Sequence, residues 1–372
     1  MRKRIVFHVP SLRGGGAERV FVLMANEMAV RGHAVTLFVW NAEGPNAELI
    51  SPEVKLVTLG LAIHGEGFGK PATLEGLARS AALLRRERPD AVFSAPEFAN
   101  LLTALALLFG GCRAAFFPSY HAAASLESNG LGSRIAPMLT RLVAWRATKA
   151  IAVSSGIGRD LSVGGFRDNQ VAVIHNPLPP LHRRNTTPQP WQAALAAMGE
   201  GPVVVTLGRL VPVKDHRTLL KAFSMLDPAR KCRLVIFGDG PLKENLVAYA
   251  DELGISDRVL FPGYVNDPAV CYAIADLFVL SSTSEGFGNV LIEAMAAGVP
   301  VVSTDAPHGP REILADGRFG ALVPVGDPMA LAGAISQTLA EPRQASDLKM
   351  RAADFSIGVI GDRYEALIGE RA

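Results

Sequence analysis

Short, uniformly apolar runs alternate along this chain with stretches of helical periodicity, and that alternation narrows the possible folds more than any other feature. The first half shows apolar runs at 5–9, 34–40, 91–94 and 114–118, with a helical pattern over about 17–31. A strand that is apolar on both faces must be covered on both, which is met by a parallel sheet with helices above and below. The pattern restarts with runs at 202–208, 233–237, 259–261, 277–280 and 299–303, separated by helical stretches around 219–225, 242–253 and 290–297. The expected fold class is therefore α/β: two Rossmann-like, doubly wound domains facing each other across a cleft, with ligands at the carboxyl ends of the strands. Length agrees, since 372 residues exceed the roughly 250 at which a single core stops growing.

The boundary falls in the most proline-rich segment, 177–190, whose composition stiffens a linker and cannot pair inside a sheet. We expect a first domain over 1–178, a linker over 179–190, a second domain over 191–354, and a tail over 355–372. Charge divides at nearly the same place. Residues 1–184 hold 21 Lys and Arg against 13 Asp and Glu, a net of +8, and the remainder carries −6. A basic half beside an acidic one suggests that the first domain meets something anionic. Two clusters supply the charge: Arg79, Arg85, Arg86 and Arg88 at the end of one helix, and Arg134, Arg141, Arg146 and Lys149 in an amphipathic stretch with Met138 and Trp145. Such a helix suits either solvent or an anionic leaflet. No interleaved aromatics suited to base stacking accompany these charges, so nucleic acid is not expected.

The apolar run at 5–9 is too short for a signal peptide and contains His8. The most apolar stretch, 98–109, is far short of the roughly twenty residues a spanning helix needs. Cys112, Cys232 and Cys271 match no zinc or redox spacing, which points to free thiols in a reducing compartment.

Three segments carry chemistry, and a fourth only resembles one that does. Ser11-Leu-Arg-Gly14-Gly15-Gly16-Ala-Glu-Arg19 joins the first strand to the first helix, where glycines admit a ligand to the backbone and a helix N-terminus favours an anion. It is not a dinucleotide fingerprint, because Arg19 stands where the third glycine is needed and the second strand lacks the ribose-binding acid. The cluster Gly65-Glu-Gly67-Phe-Gly69-Lys70-Pro71 lacks Walker spacing, with Pro71 where a Ser or Thr would hold magnesium, and reads as a surface loop. After the first strand of the second domain, Gly208-Arg209 and Lys214 flank a turn, so a fork and a point charge can converge on one diphosphate. Finally, Ser284-Glu285-Gly286-Phe287-Gly288-Asn289 leads into a helix containing Glu293 and ending at Gly298, with Asn289 the expected N-cap. Phosphates would rest on that helix N-terminus, while carboxylates accept charge-assisted bonds from sugar hydroxyls.

Taken together, Glu285-Gly-Phe-Gly with Glu293 eight residues on, the Gly208-Arg209 to Lys214 turn, and Gly14-Gly15-Gly16-Ala-Glu-Arg19 strongly resemble glycosyltransferase family four over essentially the full length. The resemblance implies the GT-B fold and a retaining transfer from a nucleotide-diphosphate sugar, expected to be a UDP-sugar carrying a hexose or N-acetylhexosamine. It also implies a glycan acceptor, expected to be lipid-linked, in cell-surface polysaccharide or lipopolysaccharide synthesis. By matching position, Glu285 would bind donor-sugar hydroxyls and Glu293 the ribose. Arg209 and Lys214 would neutralise the diphosphate, and Phe287, Gly288 and Asn289 would offer backbone donors. Gly15, Gly16 and Gly208 belong to the donor and nucleotide site, and His121 matches a histidine beside the donor sugar. Glu97 is a candidate acceptor contact. No cofactor is expected beyond the donor as co-substrate and, without an Asp-x-Asp motif, no metal. The tail resembles a closing helix that crosses back onto the first domain, and Pro307 to Glu312 resembles a segment of members that extend lipid-linked or lipopolysaccharide sugars. His175-Asn176-Pro177 departs from the family's asparagine-glycine turn, leaving Asn176 unassigned. The expected location is the cytoplasm, peripheral to the inner membrane. A nucleotide-sugar 2-epimerase on the same architecture is the alternative, against which the Glu285 to Glu293 block argues.

Overall fold

The structure, a computed structural model, describes residues 1–13, 15–62, 69–122, 131–180 and 189–369, the side chains of 131–137 excepted. Gly14, Gly65, Gly67, the side chain of Arg134 and residues 181–188 of the expected linker lie outside the described residues. The chain divides into two compact units: Met1–Pro177 joined by Ser356–Ala372, and Leu178–Phe355.

The first unit runs β1 (Arg4–Val9), α1 (Gly16–Val30), β2 (Ala34–Val39), β3 (Lys55–Thr58), α2 (Lys70–Glu87), β4 (Ala91–Ser94), α3 (Glu97–Phe109), β5 (Ala115–Tyr120), α4 (Leu131–Arg146), β6 (Ala150–Ala152), α5 (Ser155–Gly164) and β7 (Val171–Val173). The second runs α6 (Pro190–Ala197), β8 (Val203–Leu207), α7 (His216–Ser224), β9 (Arg233–Phe237), α8 (Lys243–Glu252), β10 (Val259–Gly263), α9 (Ala269–Tyr272), β11 (Leu277–Leu280), α10 (Asn289–Ala297), β12 (Val301–Thr304), α11 (Pro310–Ile313), β13 (Ala321–Val323), α12 (Pro328–Ala340) and α13 (Ala345–Ala353). Helix α14 (Ile357–Gly369) then returns to the first unit.

Every strand pair is parallel, as uniformly apolar strands require. The strand orders are β3-β2-β1-β4-β5-β6-β7 and β10-β9-β8-β11-β12-β13. In each sheet the order reverses beside its first strand: between β1 and β4 in one unit, between β8 and β11 in the other. Chain leaving adjacent strands at a reversal turns in opposite directions, and the gap at the carboxyl ends is where such sheets take ligands. The loops entering those gaps carry Gly15, Gly16 and Glu97 in the first unit, and Gly208 to Lys214 with Ser281 to Gly288 in the second.

Aromatic packing anchors the first core. Phe7 stacks on Phe93 at 4.9 Å, Phe93 on Phe117 at 4.9 Å, and Tyr364 of α14 reaches Phe93 at 5.2 Å. Each such ring contributes about 1.5–3 kcal/mol by leaving water. Helix α14 buries Ile360, Tyr364, Leu367 and Ile368, one face of a 3.6-residue period. Its polar side is held by Arg31, which donates to Asp362 Oδ1 at 2.7 Å, Glu365 Oε2 at 2.8 Å and the Gly358 carbonyl at 2.8 Å. In the second core, α7 buries Leu219, Leu220 and Phe223.

Candidate active site

In the second unit, β8 ends at Leu207, and Gly208 continues the ladder by donating to Phe237 O at 3.0 Å. The chain then turns through Pro212–Lys214 and enters α7 at Asp215, a left-handed residue (φ 42°) whose carboxylate accepts from Thr218 N at 3.2 Å and Thr218 Oγ1 at 2.6 Å. That cap fixes the backbone directly after Lys214. A second tether comes from β11: Thr283 N donates to Val213 O at 2.8 Å, and Ser281 Oγ to Lys214 O at 2.9 Å.

These bonds bring Lys214 to Glu285. Lys214 Nζ lies 2.5 Å from Glu285 Oε1, and Ser282 Oγ donates to the same oxygen at 2.6 Å. The two side chains are 21% and 10% exposed, so the pair is held at the edge of solvent rather than floating on the surface. Both bonds use Oε1, leaving the Oε2 side of the carboxylate to receive hydroxyl donors. Arg209, on the same turn, is exposed and makes no side-chain hydrogen bond among the described residues. The loop after Glu285 is fixed from the other side. Glu285 N donates to Pro307 O at 3.2 Å, and Gly309 (φ 121°) packs so tightly on the Phe287 carbonyl that a Cβ there would overlap it.

Helix α10 starts one residue earlier in role than the sequence suggests. Gly288 (φ 103°), not Asn289, is the N-cap, and Asn289 is the first helical residue. The reason is conformational: a left-handed entry suits glycine, and no side-chain cap hydrogen bond is made at this helix start. Phe287 is buried and packs edge-on against Phe355 at 5.6 Å. Glu293, 4% exposed, accepts from Tyr272 OH at 2.9 Å through Oε2. Behind Lys214, burial and then the lysine charge hold the His216 imidazole down to about 4.

In the first unit, Gly15 is the N-cap of α1 and Gly16 its first residue, again without a side-chain cap. Glu97 is the first residue of α3. Burial and the Glu97 charge raise the Tyr120 hydroxyl pKa. His121 follows β5 directly. Its Nε2 stands 2.9 Å from Ser119 Oγ, its ring packs edge-on to Phe21 at 6.1 Å, and burial lowers its pKa to about 4, so it is neutral at pH 7.

Sequence reading alone missed Ser282, Asp215, Tyr272 and the Pro307–Gly309 contact. An Asp directly ahead of a helical pattern was a readable cap signal. The others come from separate strands and carry no local signature.

Residues 189–355 match the family described as Glycosyl transferases group 1, and residues 14–180 match Glycosyltransferase Family 4. A lipopolysaccharide core biosynthesis glycosyltransferase, LpsE of Rhizobium meliloti, is 30% identical over 98% of this chain and 99% of its own. The chain belongs to glycosyltransferase family four. Over 45% of this glycosyltransferase and 46% of the relative, it is also 36% identical to the N-acetylgalactosamine-N,N'-diacetylbacillosaminyl-diphospho-undecaprenol 4-alpha-N-acetylgalactosaminyltransferase of Campylobacter jejuni. Among solved structures, Anabaena HepE in complex with UDP and glucose superimposes with a TM-score of 0.79 at 22% identity, covering 99% of this chain and 100% of that one. Its fold is thus shared with this glycosyltransferase, two parallel-sheet Rossmann-like domains of the GT-B kind.

No described helix of the enzyme is long and apolar enough to cross a membrane. Of the basic clusters, Arg79 pairs with Glu75 at 3.0 Å and Arg86 with Glu87 at 3.2 Å. Arg146 is committed inside the unit, donating to Cys112 O at 2.9 Å and Ala114 O at 3.0 Å. Arg85 and Arg88, with Lys3 and Arg113, instead line a cavity of about 790 Å³ at the amino ends of the strands.

Proposed function

We propose that this glycosyltransferase moves a hexose or N-acetylhexosamine from a UDP-sugar to a lipid-linked glycan in the assembly of lipopolysaccharide core or a related surface polysaccharide, with retention at the anomeric carbon. The observation that carries the reading is the Lys214–Glu285 pair, a cation and an oriented carboxylate bound through one oxygen, next to the uncapped N-terminus of α10. Glu285 accepts hydroxyls of the donor sugar, Glu293 those of the ribose, and Lys214 with Arg209 and the α10 N–H groups holds the diphosphate. As the bond from the anomeric carbon to the phosphate oxygen breaks, positive charge grows on the sugar and negative charge on the diphosphate, which the two cations stabilise. The acceptor hydroxyl attacks from the face the phosphate leaves. Its oxygen forms the new bond and its proton passes to the departing phosphate oxygen, so no enzyme nucleophile is needed. In the first unit, Gly15, Gly16 and His121 are the proposed donor contacts and Glu97 the proposed acceptor contact.

Support for the substrates comes from the relatives, whose names describe lipopolysaccharide core and diphospho-undecaprenol work, and from the UDP bound in HepE. A lipid-linked acceptor requires the enzyme to reach a bilayer, for which exposed Met138, Trp145 and Phe109 and the Arg85, Arg88, Arg113 cavity provide apolar and cationic contacts. Purified enzyme incubated with UDP-sugars and extracted lipid-linked glycans is expected to add one sugar, seen by mass spectrometry, with unchanged anomeric configuration by NMR. Conversion of the donor to an isomer without any acceptor would instead establish a nucleotide-sugar epimerase.

A further inference from the structure

Glu293 sits inside α10 and is 4% exposed, so its carboxylate must find hydrogen bonds within the protein. One comes from a residue outside every motif. Tyr272, the last residue of α9, donates from its hydroxyl to Glu293 Oε2 at 2.9 Å. The same hydroxyl stands 3.4 Å from Val290 O. A phenol has a single proton, and the shorter contact, to a carboxylate oxygen, takes it. Val290 and Glu293, one turn apart, share a face of α10, so the phenol lies against the face that carries the carboxylate. Tyr272 is itself fixed. It is 2% exposed, and its ring packs against Phe278 of β11 at 5.7 Å. Its backbone donates to Pro268 O at 3.3 Å and accepts from Ala275 N at 3.2 Å. Packing alone would be served as well by phenylalanine, and a hydroxyl buried this deeply is costly without a partner. The carboxylate accounts for its presence.

We propose that Tyr272 is a positioning residue that sets the enzyme's selection of ribonucleotides: by holding Glu293 Oε2 it fixes the orientation in which the carboxylate meets the ribose hydroxyls. The inference rests on the reading of Glu293 as the ribose contact given above. A glutamate side chain turns about several bonds, and one already held in its binding orientation gives up no further rotamer freedom when the ligand arrives. Orientation also supplies discrimination. A fixed, desolvated carboxylate is left unpaired by a nucleotide that lacks the hydroxyls, and that loss rejects the analogue. A carboxylate without the tether swings to another acceptor position and distinguishes the two nucleotides less. Tyr272 therefore acts through Glu293, from a different helix, and touches no part of the ligand.

The test compares two ligands by calorimetric titration of the full-length enzyme: UDP, and 2′,3′-dideoxy-UDP, which has no ribose hydroxyl for Glu293 to meet. Tyr272→Phe keeps the ring against Phe278 and is expected to bind UDP about tenfold more weakly, the effect of one lost hydrogen bond to a charged group. Its affinity for the dideoxy nucleotide should equal that of the wild type, which also shows that the variant is folded. Glu293→Gln should shrink the preference for UDP at least as far, and adding Y272F to it should cost UDP nothing more, because the two residues act as one unit. A Y272F enzyme with the wild-type preference overturns the positioning role, and so does one that loses both ligands equally, since a purely structural hydroxyl has that signature. An E293Q enzyme that still prefers UDP as strongly as the wild type refutes the ribose assignment of Glu293, and the role of Tyr272 falls with it.

Discussion

Removing Lys214 while keeping its length tests whether the 2.5 Å pair is structural, functional or both. In Lys214→Met the methylene stem still lies beside Gly208, where a Cβ would meet the lysine Cδ and Cε at 3.7 Å. The Glu285 carboxylate, 10% exposed, is left with Ser282 alone on Oε1. A hydrogen bond to a charged partner contributes about 1.5–3 kcal/mol, and because Lys214 is itself 21% exposed, the lower part of that range applies, about 2 kcal/mol. A unit of this size then melts about 4–8 °C lower. Glu285→Gln combined with K214M should recover part of that loss, since the double variant buries no unpaired charge, with a coupling of about 1 kcal/mol. Binding carries the functional half. If Lys214 meets the diphosphate, its loss weakens UDP by about ten- to a hundredfold in calorimetric titration, because one charge-assisted contact is forfeited. Turnover falls further, by about 10²–10³, as negative charge grows on the leaving group. A K214M enzyme that melts lower yet binds UDP as tightly as wild type would refute the diphosphate assignment and leave only an ion pair that holds two loops together.

Gly309→Ala is expected to cost more than an ordinary exposed substitution, about 2 kcal/mol or above, because the new methyl meets the Phe287 carbonyl and the backbone is left-handed (φ 121°); melting temperature and UDP affinity should fall together, since the same loop carries Glu285. Low pH should destabilise the fold through His8, His121 and His216, whose pKa values burial holds at about 3, 4 and 4. The unfolded chain takes up these protons near pH 6.5 and the native one does not, so stability is intact above 6.5 and declines as pH falls from there toward 4, by about 1.4 kcal/mol per pH unit for each histidine. Urea midpoints that stay level between pH 7 and 5 would contradict this.

The architecture was legible because its central strands are apolar on both faces: β1, β2, β4, β8, β9 and β11 are buried almost throughout, and their runs stand out against any polar background. The edges were not. Strand β3 (Lys55–Thr58) is largely exposed, and β6, β7 and β13 are three residues each, too short to show a period. The Ala-rich helix α12 has little contrast between its faces. At the site, the short-range placement of Glu285 in the loop ahead of α10 and of Glu293 within it could be read from the local pattern. What joins loops could not. Nothing near Glu285 indicates that Ser282 shares its oxygen with Lys214, or that Tyr272 binds Glu293, because those contacts exist only once separate strands have been laid side by side. The N-cap assignment went to Asn289 because asparagine is a common cap. The structure prefers Gly288 because the entry to α10 is left-handed, a backbone property invisible in composition.

Helix α14 gives the first unit an unusual order of assembly. Its core needs Tyr364, Leu367 and Ile368 against β1 and β4, yet these residues leave the ribosome only after the whole of Leu178–Phe355 has been made. The second unit is continuous in the chain and is free to fold during synthesis, whereas the first must wait with the apolar floor beneath Phe7 and Phe93 uncovered. Chaperones that shield nascent apolar surface should therefore dwell on the earlier-made half, and a ribosome that stops short of Ile357 would release a chain whose second half is native and whose first half is not.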